Sequence, residues 1–223
     1  MPERADIANR AQVSMKSIFV KSAPTVAHLE PSDLAEVAFV GRSNVGKSSL
    51  LNRLAGAKIA RTSKTPGRTQ MLNLFEVERD GLKFALVDLP GYGFADAPKA
   101  ERASWMDMIE GYLTGRPNLR AVLVLVDVRR GVQEEDIEIK EWLEETSARV
   151  IPVGTKIDKF PKAKQKPALH AIASAYGVDR NEVIGTSGST GQGIDALLEA
   201  IALLTQSRTD RSSVGRPGDT PMT

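Results

Sequence analysis

Short apolar runs alternate along this chain with longer segments of mixed polarity, so strand-like and helix-like stretches take turns. Such runs suit buried strands, and the mixed segments suit helices that lay one face against them. The pattern predicts a strand over Glu36–Val40, a glycine-bearing turn, and a helix over about Lys47–Ala55. Leu72–Glu78 and Leu82–Asp88 read as strands around an Asp80-Gly81 hairpin turn. A helix over about Lys99–Thr114 leads to a buried strand through Val126, which holds the longest apolar run, Ala121–Val126. An acidic helix over Glu134–Thr146, a strand over Arg149–Val153 and a helix over Lys162–Tyr176 follow. A last strand near Glu182–Ile184 and a helix over about Gly193–Leu204 complete the series. This alternation implies an α/β fold with a mostly parallel sheet, and the hairpin adds one antiparallel edge strand.

The two ends break the rhythm. Residues 1–16 are polar and are expected to form a flexible arm before a single domain over 17–205. The tail, 206–223, is rich in Ser, Thr, Arg, Gly and Pro from Ser207 onward. It buries too little apolar surface to offset its ordering entropy, so disorder is expected there. Composition changes little: 41% apolar and 26% charged residues are ordinary for a globular chain. The absence of cysteine excludes disulfides and thiolate metal sites, and suits a reducing compartment. No apolar run approaches the roughly 18 residues of a membrane span, and Met1–Arg10 does not read as a secretory signal. A cytoplasmic monomer that binds neither membrane nor DNA is the expectation. A net charge of +2 by itself predicts no nucleic-acid partner. Lys58, Arg61, Lys64 and Arg68 cluster locally, as do Lys159, Lys162, Lys164 and Lys166, a pattern that solvated loops produce more often than binding sites.

Chemistry enters with Gly41-Arg42-Ser43-Asn44-Val45-Gly46-Lys47-Ser48, which fits G-x-x-x-x-G-K-[ST] between a strand and a helix. Glycines let the backbone N–H groups curl around phosphate oxygens, and the helix N-terminus adds its partial positive charge. Lys47 can reach the β- and γ-phosphates, and the Ser48 hydroxyl can bind magnesium. Asp88-Leu89-Pro90-Gly91 ends a second strand, where open α/β sheets place their ligands. Asp88 would hold magnesium through water, and the Gly91 N–H would meet the γ-phosphate. An ordinary Pro-Gly turn is the plain alternative.

Thr155-Lys156-Ile157-Asp158 follows a third strand. Its aspartate can accept from both N1–H and the 2-amino group of guanine. Adenine would leave that carboxylate unpaired at a cost of roughly 1–3 kcal/mol. The Lys156 stem can lie over the base. Thr186-Ser187-Gly188 precedes Gly191-Gln192-Gly193 and offers backbone N–H groups to the guanine O6, the least specific of the motifs. A threonine before Asp88 should complete the magnesium shell. Thr62, Thr65 and Thr69 compete, and Thr69 is preferred for its place after Gly67 and Arg68, just ahead of Gln70, Met71 and the next strand. The Arg61–Gln70 stretch reads as a mobile loop ordered by the γ-phosphate.

These ordered motifs resemble the translation-factor-like P-loop GTPases, and most closely the EngB (YihA/YsxC) family of bacterial ribosome-biogenesis GTPases. The strings that carry the resemblance are Gly41–Ser48, Thr65-Pro-Gly-Arg-Thr-Gln70, Asp88-Leu-Pro-Gly-Tyr-Gly93 and Thr155–Asp158, within a span of roughly Ile18–Leu204. The resemblance implies a Ras-like three-layer fold and GTP hydrolysis to GDP with magnesium at Ser48 and Thr69. It also implies action on the large ribosomal subunit or its precursor, and through that a link to growth and cell division. Thr155 stands where most GTPases carry Asn, as this family's pattern does, and Gly188 stands where the family often carries Ser.

The residue after Gly91, which in many GTPases is a water-orienting glutamine, is Tyr92. It has no amide, and its phenol is free to pack outward, so slow intrinsic turnover is expected. Asn44 supports two readings, a ligand for an activating potassium ion or a hydrogen-bonding brace of its own loop. His28 and His170 stand alone, and Trp105 and Trp142 read as core or interface. A nucleotide-gated binding protein with incidental hydrolysis is a rival reading; a variant that binds but cannot hydrolyse GTP separates the two. A membrane- or filament-associated GTPase is disfavoured by the short chain without an amphipathic anchor, and an ATPase by Asp158.

Overall fold

Val37 and Phe39 turn to one face of strand β2 (Glu36–Gly41) and Ala38 and Val40 to the other, and all four are fully buried. A strand apolar on both faces needs a layer on each side, and the chain supplies both. The computed structural model describes residues 15–60, 71–79, 81–92, 99–145 and 149–206. The strands are β1 (Met15–Ala23), β2, β3 (Leu72–Arg79), β4 (Leu82–Asp88), β5 (Leu119–Asp127), β6 (Val150–Thr155) and β7 (Ile184–Gly185). The helices are α1 (Lys47–Leu54), α2 (Lys99–Gly115), α3 (Glu134–Glu145), α4 (Lys162–Tyr176) and α5 (Ile194–Gln206). Leu50, Leu51 and Leu54 of α1 and Leu197, Leu198 and Ile201 of α5 pack with Phe39 and Leu125. On the other face Ile109 and Tyr112 of α2, Leu143 of α3 and Ile172 of α4 pack with Val40 and Val124. This is the expected three-layer α/β arrangement.

The sheet runs β1-β3-β4-β2-β5-β6-β7. β3 alone runs against the rest, antiparallel to both β1 and β4, while the remaining pairs are parallel. The antiparallel strand is thus one place in from the edge. The strand outside it, β1, was not expected from the pattern. Its Ile18, Phe19 and Val20 are 64%, 50% and 42% exposed, so no buried-face alternation marks it, and its register slips between Phe19 and Lys21. β1 begins at Met15 and α5 runs to Gln206. The rest of the expected arm and tail lies outside the described residues.

Because β4 and β5 flank β2 on opposite sides, connections part at the C-terminal end of β2, the place where such sheets bind ligands. The other end of β2 is closed by a buried charge cluster. Glu36, 0% exposed, accepts from the Tyr112 hydroxyl (2.7 Å) and from Arg116 Nε (3.1 Å), and pairs with the Arg116 terminal nitrogen. Arg116 Nη1 donates in turn to the Glu30 carbonyl (2.9 Å).

Candidate nucleotide-binding site

The loop between β2 and α1 is built for close approach to a ligand. Asn44 (φ 63°) and Gly46 (φ 108°) both take the left-handed conformation, which turns the chain back on itself before Lys47 opens the helix. Left-handed backbone alternating with ordinary backbone makes a concavity of N–H groups, and the α1 N-terminus points into the same place. Lys47 pairs with Asp88 at the end of β4; both side chains are nearly buried, and Ser48 follows in the first helical turn. A carboxylate and a hydroxyl are hard oxygen donors that suit magnesium, completed in such sites by phosphate and water. Among the described residues no cluster of three or more His, Cys, Asp or Glu offers a metal cage.

The Asp88–Tyr92 segment lies directly against this loop. The Leu89 N–H donates to the Phe39 carbonyl (3.0 Å), the Tyr92 N–H to the Gly41 carbonyl (3.2 Å), and the Ser43 N–H to the Tyr92 carbonyl (3.0 Å). A Cβ at Gly91 would stand 2.9 Å from the Gly41 carbonyl oxygen, so only glycine fits. Tyr92 does not pack outward as expected. It is 5% exposed, its ring meets Trp105 edge-on, and its hydroxyl donates to Asp136 of α3 (2.8 Å). Burial, with the Asp136 charge beside it, raises the phenol far above the usual range. Burial likewise raises the Asp136 carboxyl, against hydrogen bonds from the Gln133 N–H and from Tyr92.

The third motif ties down the first. The Thr155 hydroxyl donates to the Val45 carbonyl (2.8 Å), with the Val126 carbonyl as a second acceptor (3.2 Å). Lys156, itself left-handed (φ 58°), donates from Nζ to the Asn44 carbonyl (2.6 Å) and to Asp127 (2.9 Å). Its stem passes the loop so closely that a Cβ on Gly46 would lie 3.4 Å from Cε. Asp158 follows on a tight turn, Ile157–Lys159, whose Ile157 N–H donates to the Thr186 carbonyl (3.1 Å). The Ser187 hydroxyl, opposed by burial and aided by Lys159, holds the Asp158 carboxyl below its usual range. Thr186 and Ser187 are fully buried. Gly188 is glycine for packing reasons: a Cβ would stand 2.8–2.9 Å from the Ser49 carbonyl carbon and oxygen on α1.

The structure thus gathers Gly41–Ser48, Asp88–Tyr92, Thr155–Asp158 and Thr186–Gly188 at one end of the sheet. Val45, Leu89 and Ile157 turn their side chains into the core and offer only backbone there. Met71 is exposed ahead of β3. Thr62, Thr65, Gly67, Arg68, Thr69, Gln70 and Gly93 lie outside the described residues, as do Arg61 and Lys64 of the basic cluster, whose Lys58 is exposed. Trp105 and Trp142 pack against the core, as expected. Sequence reasoning missed Asp127, which Arg129 grips through Nε (3.0 Å) and Nη2 (2.7 Å). Burial works against its charge, yet those bonds and that from Lys156 bring it down to about 2. It also missed Arg53, which crosses from α1 to the Ser189 carbonyl (2.7 Å) and steadies the last loop. An aspartate ending a buried strand, as Asp88 does, was the available signal for Asp127.

Residues 36–156 match a family model described as 50S ribosome-binding GTPase. A protein from Geotalea daltonii, named a probable GTP-binding protein EngB, is 44% identical over 204 residues, covering 91% of this chain and 95% of its own. The crystal structure of a probable GTP-binding protein engB superposes with a TM-score of 0.61 at 28% identity, over 78% of this chain and all of that one. Era, crystallised with MgGDPNP and nucleotides 1506–1542 of 16S ribosomal RNA, gives a TM-score of 0.66 at 28% identity, over 79% of this chain and 58% of its own. With the phosphate loop, the two flanking motifs and the base loop gathered in one crevice, the chain belongs to the EngB family of GTP-binding proteins and is a GTPase.

Proposed function

We propose that this GTPase is a slow molecular switch in assembly of the large ribosomal subunit, docking on ribosomal RNA and protein in one nucleotide state and leaving in the other. Guanine selectivity rests on one observation: Asp158, whose carboxyl Ser187 holds below its usual range, stands on a turn bonded to the loop that follows β7, beside the phosphate loop. Its carboxylate accepts from N1–H and the 2-amino group, and Lys156 covers the base. Backbone N–H groups of the Gly41–Ser48 loop take the phosphates, and the Gly188 N–H takes the guanine O6, the Ser187 N–H being donated to the Gln192 carbonyl (2.9 Å). Lys47, now paired with Asp88, would hold phosphate oxygens when nucleotide is bound, and Asp88, through water, and Ser48 are the residues that would hold magnesium. Thr69 would complete the magnesium shell, with Gly67, Arg68, Gln70 and Met71 beside the nucleotide, and the Gly91 N–H would meet the γ-phosphate. Magnesium, when bound, neutralises charge on the β- and γ-oxygens.

A ribosomal RNA partner is supported by the 16S fragment that Era carries in its complex, and the choice of the large subunit by the 50S in the family description alone. The protein works in the cytoplasm as a monomer, with Lys58, Arg61, Lys64 and Arg68 contributing salt-sensitive phosphate contacts. The deciding experiment pellets ribosomal subunits with the protein loaded with GDP or a non-hydrolysable GTP analogue. Co-sedimentation with the large subunit in the analogue state alone is the expected result; no pelleting in either state at low salt removes the ribosomal role.

Buried Tyr92 orients no water, so turnover in isolation is expected well below about 10 per second. One observation favours a potassium site over a brace: the exposed Asn44 side chain makes no hydrogen bond to another described residue, leaving its oxygen available to a cation. Turnover should then be faster in potassium than in sodium, alone or with ribosomes; equal rates in both settings remove the site.

A further inference from the structure

The segment that meets the γ-phosphate is fastened on three sides. The Pro90 carbonyl accepts from the Trp105 indole N–H (3.1 Å). Tyr92 is stitched to the phosphate loop through its own N–H and carbonyl, as a one-residue bridge opposite Arg42. Its hydroxyl reaches α3, where Asp136 is itself locked by the Gln133 N–H (2.9 Å) in the first helical turn. Gly91 sits between these fastenings, against the Gly41 carbonyl. A buried phenol donating to a buried carboxylate is a strong, directional hold, and cutting it leaves that acceptor short of a partner.

We propose that Tyr92 and Asp136 form a clamp that holds the Gly91 amide in place for the γ-phosphate, so that Tyr92 is a positioning residue that favours GTP over GDP. The position that elsewhere carries a water-orienting side chain here serves to fix the loop. Without the clamp, the segment must be ordered each time a γ-phosphate is bound, and that entropy falls on GTP alone. GDP makes no contact with Gly91 and is indifferent. The clamp rests on the nucleotide assignments made under the proposed function.

The test measures affinities of the full chain for fluorescent GDP and for a fluorescent non-hydrolysable GTP analogue in wild type, Tyr92→Phe, Asp136→Ala and the double variant. Melting with saturating GDP checks that each is folded. The analogue should bind about tenfold more weakly to Tyr92→Phe while GDP affinity stays the same. Asp136→Ala should shift the ratio in the same direction, and the double variant should add nothing to the larger single effect. Affinities that fall by the same factor for both nucleotides, or a ratio unchanged in the variants that fold, overturn the clamp. Wild-type protein that binds neither nucleotide overturns the nucleotide assignments and the clamp with them.

Discussion

Asp158 owes its lowered pKa to a neighbour from another loop. The Ser187 hydroxyl is the main influence lowering its pKa, and it outweighs the burial that works the other way. A carboxylate with a depressed pKa keeps its function above that pKa and loses it as the pH falls through it. Ser187→Ala should therefore move the acid limb of GDP affinity to higher pH, leaving affinity at pH 8 little changed. Titrations of affinity against pH for both proteins check this, and coincident acid limbs would remove Ser187 from the site. The place of Asp158 beside the phosphate loop was legible because its motif is contiguous and follows a buried strand. The work of Thr155 was not, since its acceptors are carbonyls of Val45 and Val126, which no spacing in the sequence brings near. The inward turn of Tyr92 was hidden likewise: its acceptor, Asp136, lies 44 residues on.

Between elements, the fit depends on places where no side chain can stand. Gly188 lets the base loop lie on the first turns of α1, and Arg53 reaches from that helix to fasten the same loop. Gly188→Ala presses a methyl group into helix backbone, which cannot swing aside as a flexible side chain would. The expected cost is about 1–3 kcal/mol of stability, with weaker binding of GDP and GTP analogue alike because the loop lifts off the base. Denaturant midpoints and both affinities measure it; unchanged values would mean that α1 yields. The hairpin of β3 and β4 and the helix after Gly46 were legible because local turn chemistry writes them. β1 was not, because an edge strand that leaves Ile18–Val20 exposed carries no alternation to read, and its partner β3 is distant in sequence.

Across the whole molecule, the sheet has a working end and an anchoring end. Glu36, Tyr112 and Arg116 close the second, and a charge buried that deeply is tolerable only while its partner remains. Glu36→Ala should cost about 3–5 kcal/mol by stranding the Arg116 charge, while nucleotide affinity of the folded fraction is unchanged. Replacing Glu36, Tyr112 and Arg116 together by apolar residues of similar volume should recover most of the loss, as read from urea midpoints. A single variant no less stable than wild type would contradict this role. The working end has a different consequence, for a chain still being made. Its phosphate loop is held by Thr155 and Lys156, 110 and 112 residues further along. A nascent chain that has emerged only as far as α3 carries the whole glycine-lysine sequence without the ties that shape it. Capture of the first nucleotide therefore waits for β6, and the protein becomes able to bind GTP only late in its own synthesis.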